Sequence, residues 1–224
     1  MSEKYKNIAS WEQVQRGCFD SQVVRLDVFS EVFEVVWSGL MLTKNVFIEA
    51  KDLNLNGGGC MVNEKDAIEI IFYAEENEIA IWLDGGWGVD ALLGEETRVH
   101  NDIDLFVEKS NSKKFLEIIK EKGFSEVIEA YTTTDHTVWK DATGRIIDLH
   151  IFEFDEQGYL VFEGEAYPPE VFSGIGKIGD KVVKCIDAKN QVLFHLGYEY
   201  DENDVHDVRL LCERFNIPIP NEYK

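Results

Sequence analysis

The chain has 224 residues, 45% of them hydrophobic and 12% aromatic, which suffices for one ordinary folded domain and a small addition. Its 43 acidic side chains against 22 basic ones leave a formal charge of −21, which repels polyphosphate over most of the surface and argues against DNA or RNA as a partner. A free nucleotide stays compatible, because bound metal supplies local positive charge. Cationic small molecules would also suit this surface, although acidity is first of all a means of solvation. Cys18, Cys60, Cys185 and Cys212 are scattered without a Cys-x-x-Cys pair, so neither a zinc site nor a disulfide framework is expected and a reducing cytoplasm fits. Val32 to Leu42, the most apolar early stretch, is interrupted by Glu34 and falls far short of the roughly 20 residues that cross a bilayer. Met1 to Gly17 lacks the apolar run of a signal peptide, so no membrane partner is expected.

In chain order, Val23 to Leu42 has the spacing of an amphipathic helix, and a short second segment runs from Val46 to Leu55. Asn54-Leu-Asn-Gly-Gly-Gly-Cys60 then breaks the composition and reads as a linker, so residues 1–60 form an N-terminal extension and residues 61–224 the organised domain. A second reading exists for the extension. Gly-Gly-Gly ahead of Met61 also matches the translation of a purine-rich ribosome-binding sequence, which would make residues 1–60 an upstream reading-frame extension. Intact-mass measurement on protein from the native transcript decides between the two.

Asn63 is placed to cap a helix whose apolar side uses Ala67, Ile68, Ile71, Phe72 and Ala74. From there the pattern is α+β. Strands are expected at Ile79 to Leu83 and Ile103 to Val107, with helices at Gly86 to Leu93 and Ser112 to Lys122. A strand over Phe124 to Ala130 follows, then a hairpin of His136 to Lys140 with Arg145 to Phe152 around Asp141-Ala-Thr-Gly144. Short strands at Tyr159 to Glu163 and Lys181 to Ile186 lead into a helix from Asp187 or Ala188 through Tyr198. A last helix, Glu202 to Phe215, is stopped by Pro218 and Pro220. Gly174-Ile-Gly-Lys-Ile-Gly179 formally satisfies the dinucleotide-binding pattern. With no strand before it and a strand rather than a helix after it, it reads as a loop.

Residues 84–104 carry the chemistry: a paired glycine, Gly85-Gly86, and then Asp102-Ile-Asp104. In a strand, i and i+2 share a face, so both aspartates project together while Ile103 and Leu105 enter the core. Two hard oxygen ligands beside a glycine turn that opens a helix suit Mg²⁺ and the phosphates it accompanies. Asp148 lies in an otherwise apolar strand, where a charge is costly unless paired or metal-bound, and His150 shares its face. It is the candidate third carboxylate, completing the metal cluster and accepting a proton from a hydroxyl substrate. Arg98 is placed either to hold a triphosphate or to pair with Glu95 or Glu96, and His100 either to orient Asp102 or to pack locally. Trp87 reads as core and Asp90 as a structural hydrogen-bonding residue. Tyr167, Trp139, Phe194, His195 and Tyr198 are candidates for an acceptor pocket, with core packing as the rival role.

Trp82-Leu-Asp-Gly-Gly-Trp-Gly-Val-Asp90, Arg98-x-His-x-Asp-Ile-Asp104, Ile147-Asp-Leu-His150 and Leu193-Phe-His-Leu-Gly-Tyr198 resemble the antibiotic nucleotidyltransferases of the DNA polymerase β superfamily, the small lincosamide nucleotidyltransferases above all. The resemblance covers roughly Met61 to the C-terminus and leaves residues 1–60 without a counterpart. It implies a polymerase-β-like fold, a small mixed sheet flanked by helices. It also implies transfer of AMP from ATP to a lincosamide hydroxyl with release of pyrophosphate. In the same terms Asp102 and Asp104 are metal ligands for two Mg²⁺ ions, Asp148 the third carboxylate, Gly85 and Gly86 the phosphate turn, and the assembly a homodimer. Two other functions stay open: an aminoglycoside nucleotidyltransferase, and a nucleotide-binding regulatory or toxin-system module acting on a protein.

Overall fold

The computed structural model describes residues 61–196 and 198–224; the helix expected over 23–42, the segment over 46–55 and the glycine linker lie outside the described residues. Helix α1 (Glu64–Glu75) starts as its sequence demands. Asn63 accepts hydrogen bonds from the N–H groups of Lys65 and Asp66 at 2.9 and 3.2 Å, and Asp66 accepts from the Asn63 N–H at 3.2 Å, a reciprocal cap. The buried stripe is Ala67, Ile70, Ile71, Tyr73 and Ala74. Phe72, expected on that stripe, is exposed; Tyr73 turns inward in its place and hands its hydroxyl to Glu69.

The remaining main elements are β1 (Ile81–Leu83), α2 (Gly85–Leu93), β2 (Ile103–Glu108), α3 (Lys109–Glu121), β3 (Ser125–Val127), β4 (His136–Lys140), β5 (Ile146–Phe154), β6 (Leu160–Phe162), β7 (Glu165–Tyr167), β8 (Gly174–Ile178), β9 (Lys181–Cys185), α4 (Ala188–Phe194) and α5 (Glu202–Phe215). The sheet runs β3-β4-β5-β2-β1-β9-β8, with β6 and β7 continuing from the far end of β5. It is mixed: β2 pairs with β5 and β1 with β9 in parallel, and the other ladders are antiparallel.

Alternation along the central strands gives the sheet two different faces. Ile103, Leu105, Val107, Ile147, Leu149 and Ile151 point into the main core, where Phe115 and Ile119 of α3 and the buried stripe of α1 cover them. The opposite face carries Asp104, Phe106, Asp148 and His150, backed by a second apolar cluster of Phe106, Phe152, Leu160, Val171 and Ile186. β5 is therefore buried on both sides, which explains a nearly continuous apolar run interrupted by Asp148 and His150.

Several elements differ from expectation, among them β7, a short unexpected strand paired with β6. Gly174-Ile-Gly-Lys-Ile is a strand, not a loop: it forms a hairpin with β9 through a turn at Gly179, and a Cβ on Gly176 would strike the backbone of Ala91. Glycine there lets α2 lie directly on the strand, and packing overrides the poor strand propensity. α4 ends at Phe194, not Tyr198, with the His195 ring on the Gln191 carbonyl at 2.7 Å. α5 is stopped by Asn216 in the left-handed region, φ 53°, before either proline.

Candidate active site

The glycine pair opens α2 immediately after β1. Asp84 donates its N–H to the Asp104 carbonyl at 3.1 Å, which locks the turn to the first residues of β2. Gly85 sits at φ 53°, and a Cβ on it would collide with the Asp104 carboxylate. A Cβ on Gly86 would collide with the Arg98 guanidinium and the His100 ring. Both glycines are thus required by close approach, and the approach brings the N-terminus of α2, where N–H groups lack intrahelical partners, up to Asp104 and Arg98.

Asp104 and Asp148 are register partners on the parallel β2–β5 ladder, and Phe106 with His150 is the next pair on that face. Asp102 precedes Asp104 by two residues. Burial, followed by repulsion from Asp148, raises the Asp102 carboxyl above its ordinary value. Burial and the negative charges of Asp102, Asp148 and Asp84 push Asp104 well above it, with Arg98 pulling the other way. This is an acidic focus that calls for a cation. Asp148 behaves differently: burial alone would raise it, yet hydrogen bonds from His136 and His150 prevail and hold it at about 2. His136 Nε2 lies 2.7 Å from Asp148 Oδ1, and His150 Nε2 lies 3.4 Å from the same oxygen. Among the described residues, the ligand atoms gathered within 4.8 Å of one another belong to His136, Asp148 and His150, not to the three carboxylates. Asp148 therefore shares the face with Asp102 and Asp104 but turns its oxygen to the histidines.

Arg98 pairs with neither Glu95 nor Glu96. Its Nε and Nη2 make a two-pronged contact with the buried carboxylate of Asp207 on α5, at 3.0 and 2.7 Å, and its Nη1 donates to the Val99 carbonyl. His100 packs against Trp87, centroids 4.4 Å apart, and its Nε2 is 2.6 Å from Asp90 Oδ2. Asp90 also accepts from the Thr97 N–H and hydroxyl, so it binds the segment before β2 to α2, the structural role read from the sequence. Trp87 is buried, as expected of core.

Of the acceptor-pocket candidates, Trp139 is a correction: it pairs with Ile147 on the other face, deep in the main core. Tyr167 and Phe194 touch, centroids 5.1 Å apart, and border the aromatic cluster on the aspartate face. His195 and Tyr198 lie in the connection between α4 and α5, Tyr198 donating to Asp204 at 2.9 Å. His136 and Asp84 were not singled out in the sequence. His136 was not reachable by counting: the residues flanking Asp141–Gly144 would pair Lys140 with Arg145 and His136 with Leu149, whereas the ladder closes at Asp141 and Arg145 and so pairs Val138 with Asp148 and His136 with His150.

Residues 67–211 match the aminoglycoside-2''-adenylyltransferase family. A lincosamide resistance protein of Staphylococcus haemolyticus is 28% identical over 160 residues, 67% of this chain and 94% of that protein. A 2''-aminoglycoside nucleotidyltransferase of Klebsiella pneumoniae is 49% identical over 135 residues, 60% of this chain and 72% of that protein. Among solved structures, the lincomycin-bound lincosamide adenylyltransferase LnuA superposes with a TM-score of 0.61 at 27% identity, covering 70% of this chain and 99% of that one. ANT(2'')-Ia in complex with adenylyl-2''-tobramycin, at 19% identity, TM-score 0.56 and coverage of 68% and 88%, shares the fold. The mixed sheet flanked by helices is accordingly the nucleotidyltransferase fold expected from the sequence.

Proposed function

The chain belongs to the aminoglycoside-2''-adenylyltransferase family, and on that premise we propose that it transfers AMP from ATP to a hydroxyl of a lincosamide, with release of pyrophosphate. One observation carries the chemistry: Asp104 and Asp148 stand side by side on one sheet face, against the glycine-led N-terminus of α2. One observation carries the acceptor: the match to the lincosamide proteins extends over 94% and 99% of their lengths.

Asp102 and Asp104 suit magnesium: their oxygens are hard donors, and their raised carboxyls record unneutralised repulsion. Asp102 and Asp104 would hold Mg²⁺, which would supply neutralisation of the triphosphate charge and polarisation of the α-phosphorus. Gly85 and Gly86 present backbone N–H groups to phosphate oxygens, and Arg98, fixed by Asp207, flanks them with a guanidinium already oriented. Asp148 accepts the proton of the attacking hydroxyl. Held at about 2 it is ionised throughout the physiological range, so it is always in the accepting form, at the expense of base strength. Half-buried Phe162 and exposed Tyr131 flank the two histidines as a bed for the acceptor that keeps water from competing for the phosphorus, and buried Phe106 packs against His150. Catalysis on this reading is positioning and charge neutralisation.

A second acceptor class has its own support. The 49% identity to an aminoglycoside enzyme and the net charge of −21 both favour a polycationic substrate. Incubation with ATP, Mg²⁺ and either lincomycin or tobramycin, followed by mass spectrometry, tests the assignment: we expect lincomycin to gain one AMP. Gain on tobramycin alone transfers the activity to the second class, and gain on neither refutes drug adenylylation. We further propose that the enzyme works in the cytoplasm, where ATP and reduced thiols coexist, and as a homodimer, which sedimentation equilibrium checks. No helix of the described residues is long and apolar enough to cross a membrane.

A further inference from the structure

We propose that His136, His150 and Asp148 form a second cation site, distinct from the magnesium carboxylates, that binds one borderline divalent ion such as Zn²⁺ or Co²⁺. Three atoms define it. His136 Nε2 is 2.7 Å from Asp148 Oδ1, His150 Nε2 is 3.2 Å from His136 Nε2, and His150 Nε2 is 3.4 Å from Asp148 Oδ1. Ligands around a four-coordinate ion at about 2.0–2.1 Å stand about 3.3 Å apart, so two of the three edges already have that spacing and the third needs a shift of about half an ångström.

The hydrogen-bond inventory points the same way. A proton on His136 Nε2 satisfies Asp148, but it leaves His150 Nε2 facing another ring nitrogen at 3.2 Å. At the other end of that ring, Nδ1 is buried without a hydrogen-bond partner, and His150 as a whole is 9% exposed. The Asp84 carboxylate stands beyond hydrogen-bond reach of it, Oδ2 3.9 Å away. An ion on the three inward atoms resolves the nitrogen–nitrogen contact and fixes the His150 tautomer with Nδ1–H toward Asp84, the carboxylate-supported histidine of many metal sites. Two imidazoles and one carboxylate leave one position open and suit a borderline ion; magnesium prefers the all-oxygen pair at Asp102 and Asp104. On the proposed function an ion here occupies the oxygen that accepts the substrate proton, so Zn²⁺ opposes magnesium-supported transfer. That consequence rests on the functional reading, whereas binding does not.

The test is a titration of the full chain with Co²⁺ in millimolar Mg²⁺, without nucleotide or drug, read by visible absorption. We expect one equivalent to give the intense bands of a four-coordinate ion. His136→Gln and His150→Gln should each weaken binding by more than the roughly 10–100-fold that loss of a supporting partner costs. Circular dichroism identifies any variant that fails to fold, and two independent ligands keep the result readable. Only the weak spectrum of a six-coordinate ion, or bands unchanged in a folded variant, overturns the site. Failure of drug adenylylation leaves this result untouched, so the two proposals fail separately.

Discussion

At Gly85 two constraints coincide: the backbone sits at φ 53°, and a Cβ there would run into the Asp104 carboxylate. Gly94, at φ 82°, has the first constraint alone, because nothing lies within 4 Å of its would-be Cβ. Gly94→Ala should therefore cost only the left-handed strain, about 1–2 kcal/mol, whereas Gly85→Ala adds displacement of Asp104. Denaturant unfolding of the two variants, with AMP transfer measured alongside, isolates the collision: Gly94→Ala keeps transfer and Gly85→Ala loses it. Equal loss in both would mean that the aspartate does not depend on the glycine. Asp104 itself gives a second contrast. Its carboxyl is pushed up by burial and by three neighbouring carboxylates, so ionising it opposes the fold at neutral pH without a divalent ion. Asp104→Asn removes that opposition and should raise the metal-free melting temperature, by about 2–4 °C per kcal/mol relieved, while transfer falls by at least about 10²–10³-fold. Added Mg²⁺ should stabilise the wild type more than the variant; a destabilised Asp104→Asn protein would refute the electrostatic account.

Among elements, the segment between α2 and β2 is held from both sides, by Asp90 of α2 and by Asp207 of α5, 109 residues away from Arg98. Asp207 is 1% exposed, so Arg98→Ala strands a buried charge and should cost about 3–5 kcal/mol, more than a surface ion pair. Asp207→Asn keeps the shape but loosens the guanidinium and should raise KM for ATP with a smaller effect on stability. An unchanged KM would remove Arg98 from the phosphate site. This pairing also marks where sequence reading stops. The alternation Ile103-Asp-Leu and the turn Asp141-Ala-Thr-Gly144 are local signals, and both put the aspartates and the hairpin where they stand. Hairpin register does not carry His136, because counting from Asp141–Gly144 is one residue out and would set it opposite Leu149 rather than His150. A partner 109 residues away has no such local trace. The β8 strand was hidden for another reason: two of its five residues are glycines, and only the helix lying on them explains a strand there.

At the scale of the molecule, the perturbed carboxylates among the described residues fall into groups of opposite sign. Asp102 and Asp104 are raised by burial and mutual repulsion, and so favour the fold as pH falls from neutral through their titration. Asp141 is lowered: burial opposes ionisation, but hydrogen bonds from Arg145 and Thr143 outweigh it. It stabilises above the ordinary carboxylate range and loses that contribution as the pH drops further, as does Asp148, held at about 2. The formal charge of −21 adds general self-repulsion that also eases on acidification. Stability of the metal-free protein should thus peak on the acid side of neutrality and decline on both sides of that optimum. Salt should raise the neutral-pH melting temperature by screening, and Mg²⁺ should raise it further by filling the acidic focus, moving the optimum upward. Calorimetry from pH 4 to 8 with a chelator, then with NaCl, then with MgCl₂, measures all three effects. A melting temperature that climbs steadily to pH 8 in the chelator would mean that Asp102 and Asp104 do not repel in the folded state, and the case for a cation between them would lose its electrostatic basis.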